Sequence, residues 1–332
     1  MSFDRSAPKL SVLIVLTLCL LLAVGYPFLG RALSAAGVTA MFCDTVTEIP
    51  TSECNALVAL YNATGGGSWT VNTDWLITST PCSWFGVECD VTPYPYPGSV
   101  PYPAEHFVSG LNLANNNLTG TLPPEIGDFP KLMTLSLGTN HLTGAIPGTV
   151  GSLTELRTLY LSKNALSGEV PASFPDLTEL QVGIDSSPWT GLGLDYNLLK
   201  ASDPTLSAFL DGKDSTWRFT QTLPPANLQA VDVGHEYVLL SWTPILYTAD
   251  GGYYEIHTAT LPGGPFTLNG HTADKSANGF NAEGLNAMTQ YYLKVRTYTP
   301  SHANPNALWS EFSEPIAVTT QAYQNMLPLI MR

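Results

Sequence analysis

The chain has 332 residues, with 13 Lys and Arg against 27 Asp and Glu, a net charge of −14, and only 12% charged residues. Nucleic acid and anionic membrane surfaces are held by clustered cations, so this balance argues against both as partners. The length accommodates two domains beyond a targeting segment, and 28 Gly with 26 Pro suit a chain built of strands and loops.

At the N-terminus, Arg5 and Lys9 flank the start of an apolar run from Leu10 to Val24. Small residues follow, with Ala36 and Ala40 as cleavage sites, so residues 1–36 read as an export signal. If the apolar run extends across Pro27 to Leu29, the same segment is an uncleaved anchor, the one membrane attachment the sequence offers. Cys19 falls inside it. Cys43, Cys54, Cys82 and Cys89 remain, all within residues 41–107. Their even number in an exported chain favours disulfides, and four cysteines allow three pairings. A zinc site is the alternative, but no Cys-x-x-Cys element is present. In the same segment Ala56, Leu57, Ala59 and Leu60 suit one helix face, and Gly65-Gly66-Gly67 reads as a turn. It lacks the Gly-Lys-Ser/Thr ending of a phosphate loop. The insert VTPYPYPGSVPYP carries Tyr94, Tyr96 and Tyr102 among prolines, a stiff aromatic loop.

From Val108 to Glu179 a 24-residue register is read three times. Asn116, Asn140 and Asn164 mark it, with Gly120, Gly144 and Gly168, and Pro123, Pro147 and Pro171. A period of this size is one supersecondary unit stacked on copies of itself, sharing a continuous core. The pairs Leu111/Leu113, Leu135/Leu137 and Leu159/Leu161 alternate with small or polar residues, the two-residue period of a strand with one buried face. Each asparagine follows directly and can satisfy backbone groups where the chain turns inward. The glycines permit geometry that a side chain would obstruct, and the prolines favour an extended return. A degenerate fourth copy brings Leu192, Leu194, Asn197 and Leu199, with Pro204 in place of the repeat proline. An insert containing Trp189 precedes it.

This pattern resembles the plant-type leucine-rich repeat, over residues 108–211. Residues 41–107 resemble the N-terminal cap that precedes such repeats. The resemblance implies a solenoid, with Trp69, Trp75, Trp84 and Phe85 covering the open end of its first coil. It also implies the pairing Cys82–Cys89, which leaves Cys43–Cys54.

Residues 212–224 form a polar connector in which Trp217 is expected to pack on the last repeat. Beyond Pro224-Pro225, NLQAVDV, YVLLSW, GYYEIHTA, YYLKVRTY and PIAVTTQ alternate as strands separated by turn residues. Their order over residues 225–321 resembles a fibronectin type III domain. Trp242 stands where that family places its core tryptophan. Leu285, Thr289, Tyr291, Leu293, Val295 and Thr297 follow its tyrosine-corner run, with Ala287 in place of a proline. The fold class expected is therefore mainly β: a short, disulfide-capped solenoid followed by a β-sandwich. The two domains, each with its own core, are expected to unfold separately. Residues 322–332 form a tail whose NMLPLIMR ending resembles short tails of secreted bacterial proteins.

No catalytic constellation stands out. The six histidines are scattered, and no Gly-x-Ser-x-Gly elbow occurs. Asp185 and Asp195 could approach each other as glycoside-hydrolysing carboxylates do, but surface aspartates are common. No cofactor or metal is implied. The surface expected to function is the concave sheet, through Asn112, Ser136, Tyr160, Ser162 and Asp195. Tyr94, Tyr96 and Tyr102 would stand at one rim, and Trp189 near the far end. The reading is a secreted or cell-surface, noncatalytic binding protein that recognises a protein or glycan. The alternative is a structural envelope or matrix component without a specific ligand.

Overall fold

Seventeen strands and two α-helices are formed by residues 42–91, 106–183, 190–301 and 304–323, the part of the chain that this computed structural model describes. The signal segment, the Tyr94–Tyr102 insert, Asp185, Trp189 and the NMLPLIMR tail lie outside it.

Helix α1 (Thr51–Ala63) opens the cap and buries Cys54, Ala56, Leu57, Val58 and Leu60. The disulfide Cys43–Cys54 ties the first turn of the helix to the residues before it, and Cys82–Cys89 closes a loop at the far end of the cap. Trp69, Trp75 and Trp84 are buried in a chain of ring contacts at 4.9 Å, with Tyr61 joining Trp69 at 5.2 Å. Phe85, expected in this cluster, is 41% exposed. Its carbonyl, which accepts from the Trp75 indole N–H, is the part that the cluster uses.

The repeats form two sheets. The first runs β1 (Val87–Val91), β2 (His106–Asn112), β4 (Thr134–Ser136), β6 (Thr158–Tyr160) and β8 (Gly191–Gly193). β1 is antiparallel to β2, and the remaining pairs are parallel. The second sheet, β3 (Thr119–Thr121), β5 (His141–Gly144), β7 (Ala165–Glu169) and β9 (Leu198–Lys200), is parallel throughout. It lies just before the repeat prolines; Pro123 and Pro147 are extended, as the sequence predicts, and each is followed by a short 3-10 turn, Pro124–Gly127 and Gly148–Ser152. The repeat glycines sit in or at the end of these strands with φ of +79°, +75° and +87°. At Gly120 a Cβ would also lie 2.3 Å from the Ala63 carbonyl of the cap. The repeat leucines fill the space between the two sheets and are almost wholly buried.

A column of asparagine side chains closes the turn between the sheets. Asn140 Oδ1 accepts from the backbone N–H of Asn116 and Leu118, while its Nδ2 donates to the carbonyls of Leu113 and Leu137. Asn164 and Asn197, one coil on each, donate to two carbonyls in the same way and accept from Leu142 and Leu166 N–H respectively. At the N-terminal end Asn116 bonds both backbone groups of Val71 in the cap. At the other end Gln221 takes over the ladder, accepting from Leu199 N–H and donating to the Leu194 carbonyl. Pro204 does not make the extended return expected of a repeat proline. It opens helix α2 (Pro204–Lys213), because Asp203 accepts from Leu206 N–H and caps a first turn that tolerates proline. Trp217 is buried beyond this helix and donates to Asp211.

Two antiparallel sheets follow. One is β10 (Ala226–Val233), β11 (Tyr237–Thr243) and β14 (Gly279–Glu283). The other orders β13 (Thr267–His271), β12 (Tyr253–Ala259), β15 (Gln290–Thr299) and β16 (Leu308–Trp309), with β17 (Ile316–Thr319) also on β15. Val238, Leu240, Trp242, Tyr254, Ile256, Ala282, Leu293 and Val295 form their shared core. The Tyr291 hydroxyl accepts from Asn286 N–H.

This sheet pair does not hang from a loose linker. Residues 43–332 form one compact unit by their contacts. The segment between β15 and β16 reaches across to the asparagine column. Asn304 donates to the carbonyls of Asn164 and Tyr196, and Asn306 to that of Asn140. Thr222 and Thr299 share a hydrogen bond of 2.8 Å, and Thr297 donates to the Leu223 carbonyl. These groups are buried or half-buried, so separating the two parts would leave several polar groups to be resolvated. Calorimetry of the chain should therefore show one transition. Two resolved transitions would mean that these bonds contribute little.

Candidate functional site

The candidate site is built on the first sheet of the repeats. Parallel pairing in register aligns Asn112, Ser136, Tyr160 and Gly193 in one row across β2, β4, β6 and β8. The next row outward along the chain, Ala114, Gly138, Ser162 and Asp195, is held by further backbone bonds, among them Thr139 N–H to the Ser162 carbonyl and Lys163 N–H to that of Asp195. The leucines between these rows point into the core, so alternation alone turns the named side chains to the open face.

Tyr160 dominates this face. Its ring lies over both flanking strands: a Cβ built at Gly138 would fall 2.1 Å from the ring, and one built at Gly193 would fall 2.6 Å from it. Ser136, Gly138 and Gly193 are small and leave a gap beside it. Here the ring itself takes that room and is half-buried. Burial, and then the negative charge of Asp195, push its phenol above the ordinary tyrosine range, while Thr139 and Ser162 oppose the shift. Ser136 is fully buried in the row beside it, and its hydroxyl has no hydrogen-bond partner among the described residues. Ser162 is also buried, whereas Asn112 and Asp195 are half-buried.

Asp195 marks the C-terminal end of the sheet. It accepts from Thr216 and Thr220 of the connector, at 3.4 and 3.3 Å. The β15–β16 segment lies along the rim just past the sheet, where Asn306 also meets His141. Sequence reasoning missed these flanking groups because they come from distant parts of the chain. A second recess, of about 390 Å³, opens where α2, the connector and the start of the sheet pair meet, lined in part by Trp217, Arg218, Leu223 and Leu246. Arg218 is already engaged by Asp211 and Ser207. Among the described residues no cluster of His, Cys, Asp and Glu could hold a metal ion.

Comparison with known proteins bears on the repeats. Residues 108–129 and 130–182 match family models described as leucine-rich repeats. The ectodomain of the receptor kinase SOBIR1 from Arabidopsis thaliana is similar to the chain at 27% identity. The match covers 46% of this chain and 71% of that one, with a TM-score of 0.35. A plant ice-binding protein is 30% identical over 46% of this chain and 43% of its own, with a TM-score of 0.37, so the chain spans less than half of that relative. The FN5 domain of Drosophila Lar aligns with 30% of this chain and 98% of its own length, at 23% identity and a TM-score of 0.23. Residues 108–182 of this chain are leucine-rich repeats.

Proposed function

We propose that this chain is an exported, noncatalytic binding protein that recognises a protein or peptide through the open face of its leucine-rich repeats. The observation that carries this reading is the in-register row Asn112–Ser136–Tyr160–Gly193. It places a half-buried aromatic ring with a hydroxyl among small and polar groups on a rigid sheet. Such a ring gives contact area with few torsions to fix, so little order has to be gained on binding. Two disulfides within the cap favour an oxidising compartment. Among the described residues no helix is long and apolar enough to cross a membrane.

Within this reading the C-terminal sheet pair is a fibronectin type III domain. Its core tryptophan is Trp242, and its tyrosine corner is the Tyr291 hydroxyl on Asn286 N–H. Its part is to fix the rim beside the repeats. Tyr94, Tyr96, Tyr102 and Trp189, which lie outside the described residues, belong to the same proposal as further contacts.

The test starts from a binding screen of secreted proteins against the purified chain. For a partner found there, Tyr160→Ala should weaken binding by about 1–2 kcal/mol, the scale of an aromatic hot spot. Tyr160→Phe keeps the ring on Gly138 and Gly193, so it separates loss of the hydroxyl from loss of packing. Unchanged affinity in both variants would move the site off this face. Self-association with no saturable partner would favour a structural envelope or matrix role.

A further inference from the structure

The sheet of β12, β13, β15 and β16 turns one face to the core and the other outward. On its outer face four rings cross the strands in a row: His271, Tyr253, Tyr298 and Trp309. Their centroids are 4.8, 4.8 and 4.7 Å apart, which is the spacing of the strands themselves. Neighbouring planes are inclined by 37°, 37° and 44°, so the rings lean like shingles and do not close face to face. Trp309 at one end is 45% exposed, and His271 at the other is exposed.

Charged groups lie beside this row on the same face. Arg296 donates to Glu255 at 2.7 Å, and the same carboxylate oxygen meets His257. Lys294 stands over Phe266 at 3.9 Å and Phe312 at 3.8 Å. Among the described residues no carboxylate pairs with Lys294. The one acid of these rows is thus taken up by Arg296 and His257, and the ammonium is balanced only by ring faces. In a chain of net charge −14, this face offers an uncompensated cation next to a strip of aromatic rings.

We propose that this outer sheet face binds an acidic polysaccharide. The C–H faces of pyranose rings are apolar and flat, and they stack on aromatic side chains set in a line. The phenol hydroxyls of Tyr253 and Tyr298 reach sugar hydroxyls at the edge of such a stack. Lys294, which has no carboxylate partner among the described residues, meets the carboxylates of uronic acid units. A protein partner would instead call for a deeper, desolvated pocket for an anchoring side chain, which a flat row of leaning rings lacks.

The full-length chain is tested by affinity electrophoresis in gels containing polygalacturonate, with hydroxyethylcellulose as the neutral control. Retardation is expected in polygalacturonate alone, weakening as salt is raised. Tyr298→Ala combined with Trp309→Ala should reduce the affinity at least about tenfold, which corresponds to about 1.4 kcal/mol. Lys294→Gln should lower it by several fold and flatten the salt dependence. Tyr160→Phe should leave it unchanged, which separates this site from the repeat face. If the double variant fails to fold by circular dichroism, the single variants Trp309→Ala, at an exposed position, and Lys294→Gln, at a half-buried one, decide the matter. The proposal is overturned if the wild type is not retarded, if hydroxyethylcellulose retards it equally, or if the folded variants bind as the wild type does. It is overturned too if the same variants instead abolish capture of a secreted protein.

Discussion

Asp250→Ala is expected to destabilise the protein by about 3–5 kcal/mol, the cost of leaving one member of a buried ion pair without its partner. The Lys275 ammonium lies 2.5 Å from Asp250, and both side chains are withdrawn from solvent, at 0% and 1% exposure. Lys275 also donates to Thr299, and the Tyr247 ring stands 4.2 Å from its nitrogen. Thr299 in turn bonds Thr222 of the connector, so the pair sits at the foot of the contact between the two parts of the chain. Burial holds the Lys275 pKa below the ordinary lysine range, and Asp250 opposes that shift. Without Asp250 it falls further. Between that lowered value and the value in the unfolded chain, the unfolded state binds more protons, so stability rises with pH. Urea titrations should therefore show the deficit of Asp250→Ala shrinking as the solution is made alkaline. The double variant Asp250→Ala with Lys275→Met should recover much of the loss, because no buried charge remains. A deficit below about 1 kcal/mol, or one indifferent to pH, would mean that Asp250 is not the counterion.

Asn140→Ala should be nearly as damaging, at about 3 kcal/mol or more. The side chain serves five buried backbone groups: it accepts from Asn116 and Leu118 and donates to Leu113, Leu137 and, at 3.3 Å, Gly138. Each orphaned buried group costs about 1–3 kcal/mol, and a methyl group replaces none of these bonds. Water entering the gap offsets part of the sum. Asn116→Ala, at the cap end, loses only the two bonds to Val71 and should cost less. Equal effects at the two positions in denaturant melts would show that the column is not a ladder of repeated bonds but a set of independent turns.

Two features of the candidate sites show where sequence reading succeeds and where it stops. The rows of the repeat face could be written down from the chain, because in a stack of equal coils residue i lies beside its counterpart one period on. Tyr160 beside Ser136 follows from that arithmetic. That the Tyr160 ring folds down over Gly138 and Gly193, and so fills the space those glycines leave, does not, because a ring direction depends on what surrounds it. The aromatic row on the outer sheet face was equally hidden. Its rings come from two pairs of consecutive strands, β12/β13 and β15/β16, that only the β12–β15 pairing brings together, and β13 and β16 carry weak alternation that a reading by pattern passed over.

By itself, then, the sequence determined whatever repeats or alternates: the leucine-rich coils, the asparagine column and the alternating strands beyond Pro225. These are local or periodic rules, in which each residue's fate is set by neighbours at a fixed offset. Only the tertiary structure decided the rest. Asn304 meets Asn164 across 140 residues, Gln221 ends a ladder of asparagines, and Lys275 finds Asp250 in the interior. Each of these is a polar group removed from water whose partner is whichever group the packing brings within reach. Such a choice follows from the whole folded chain and leaves no periodic mark in the sequence.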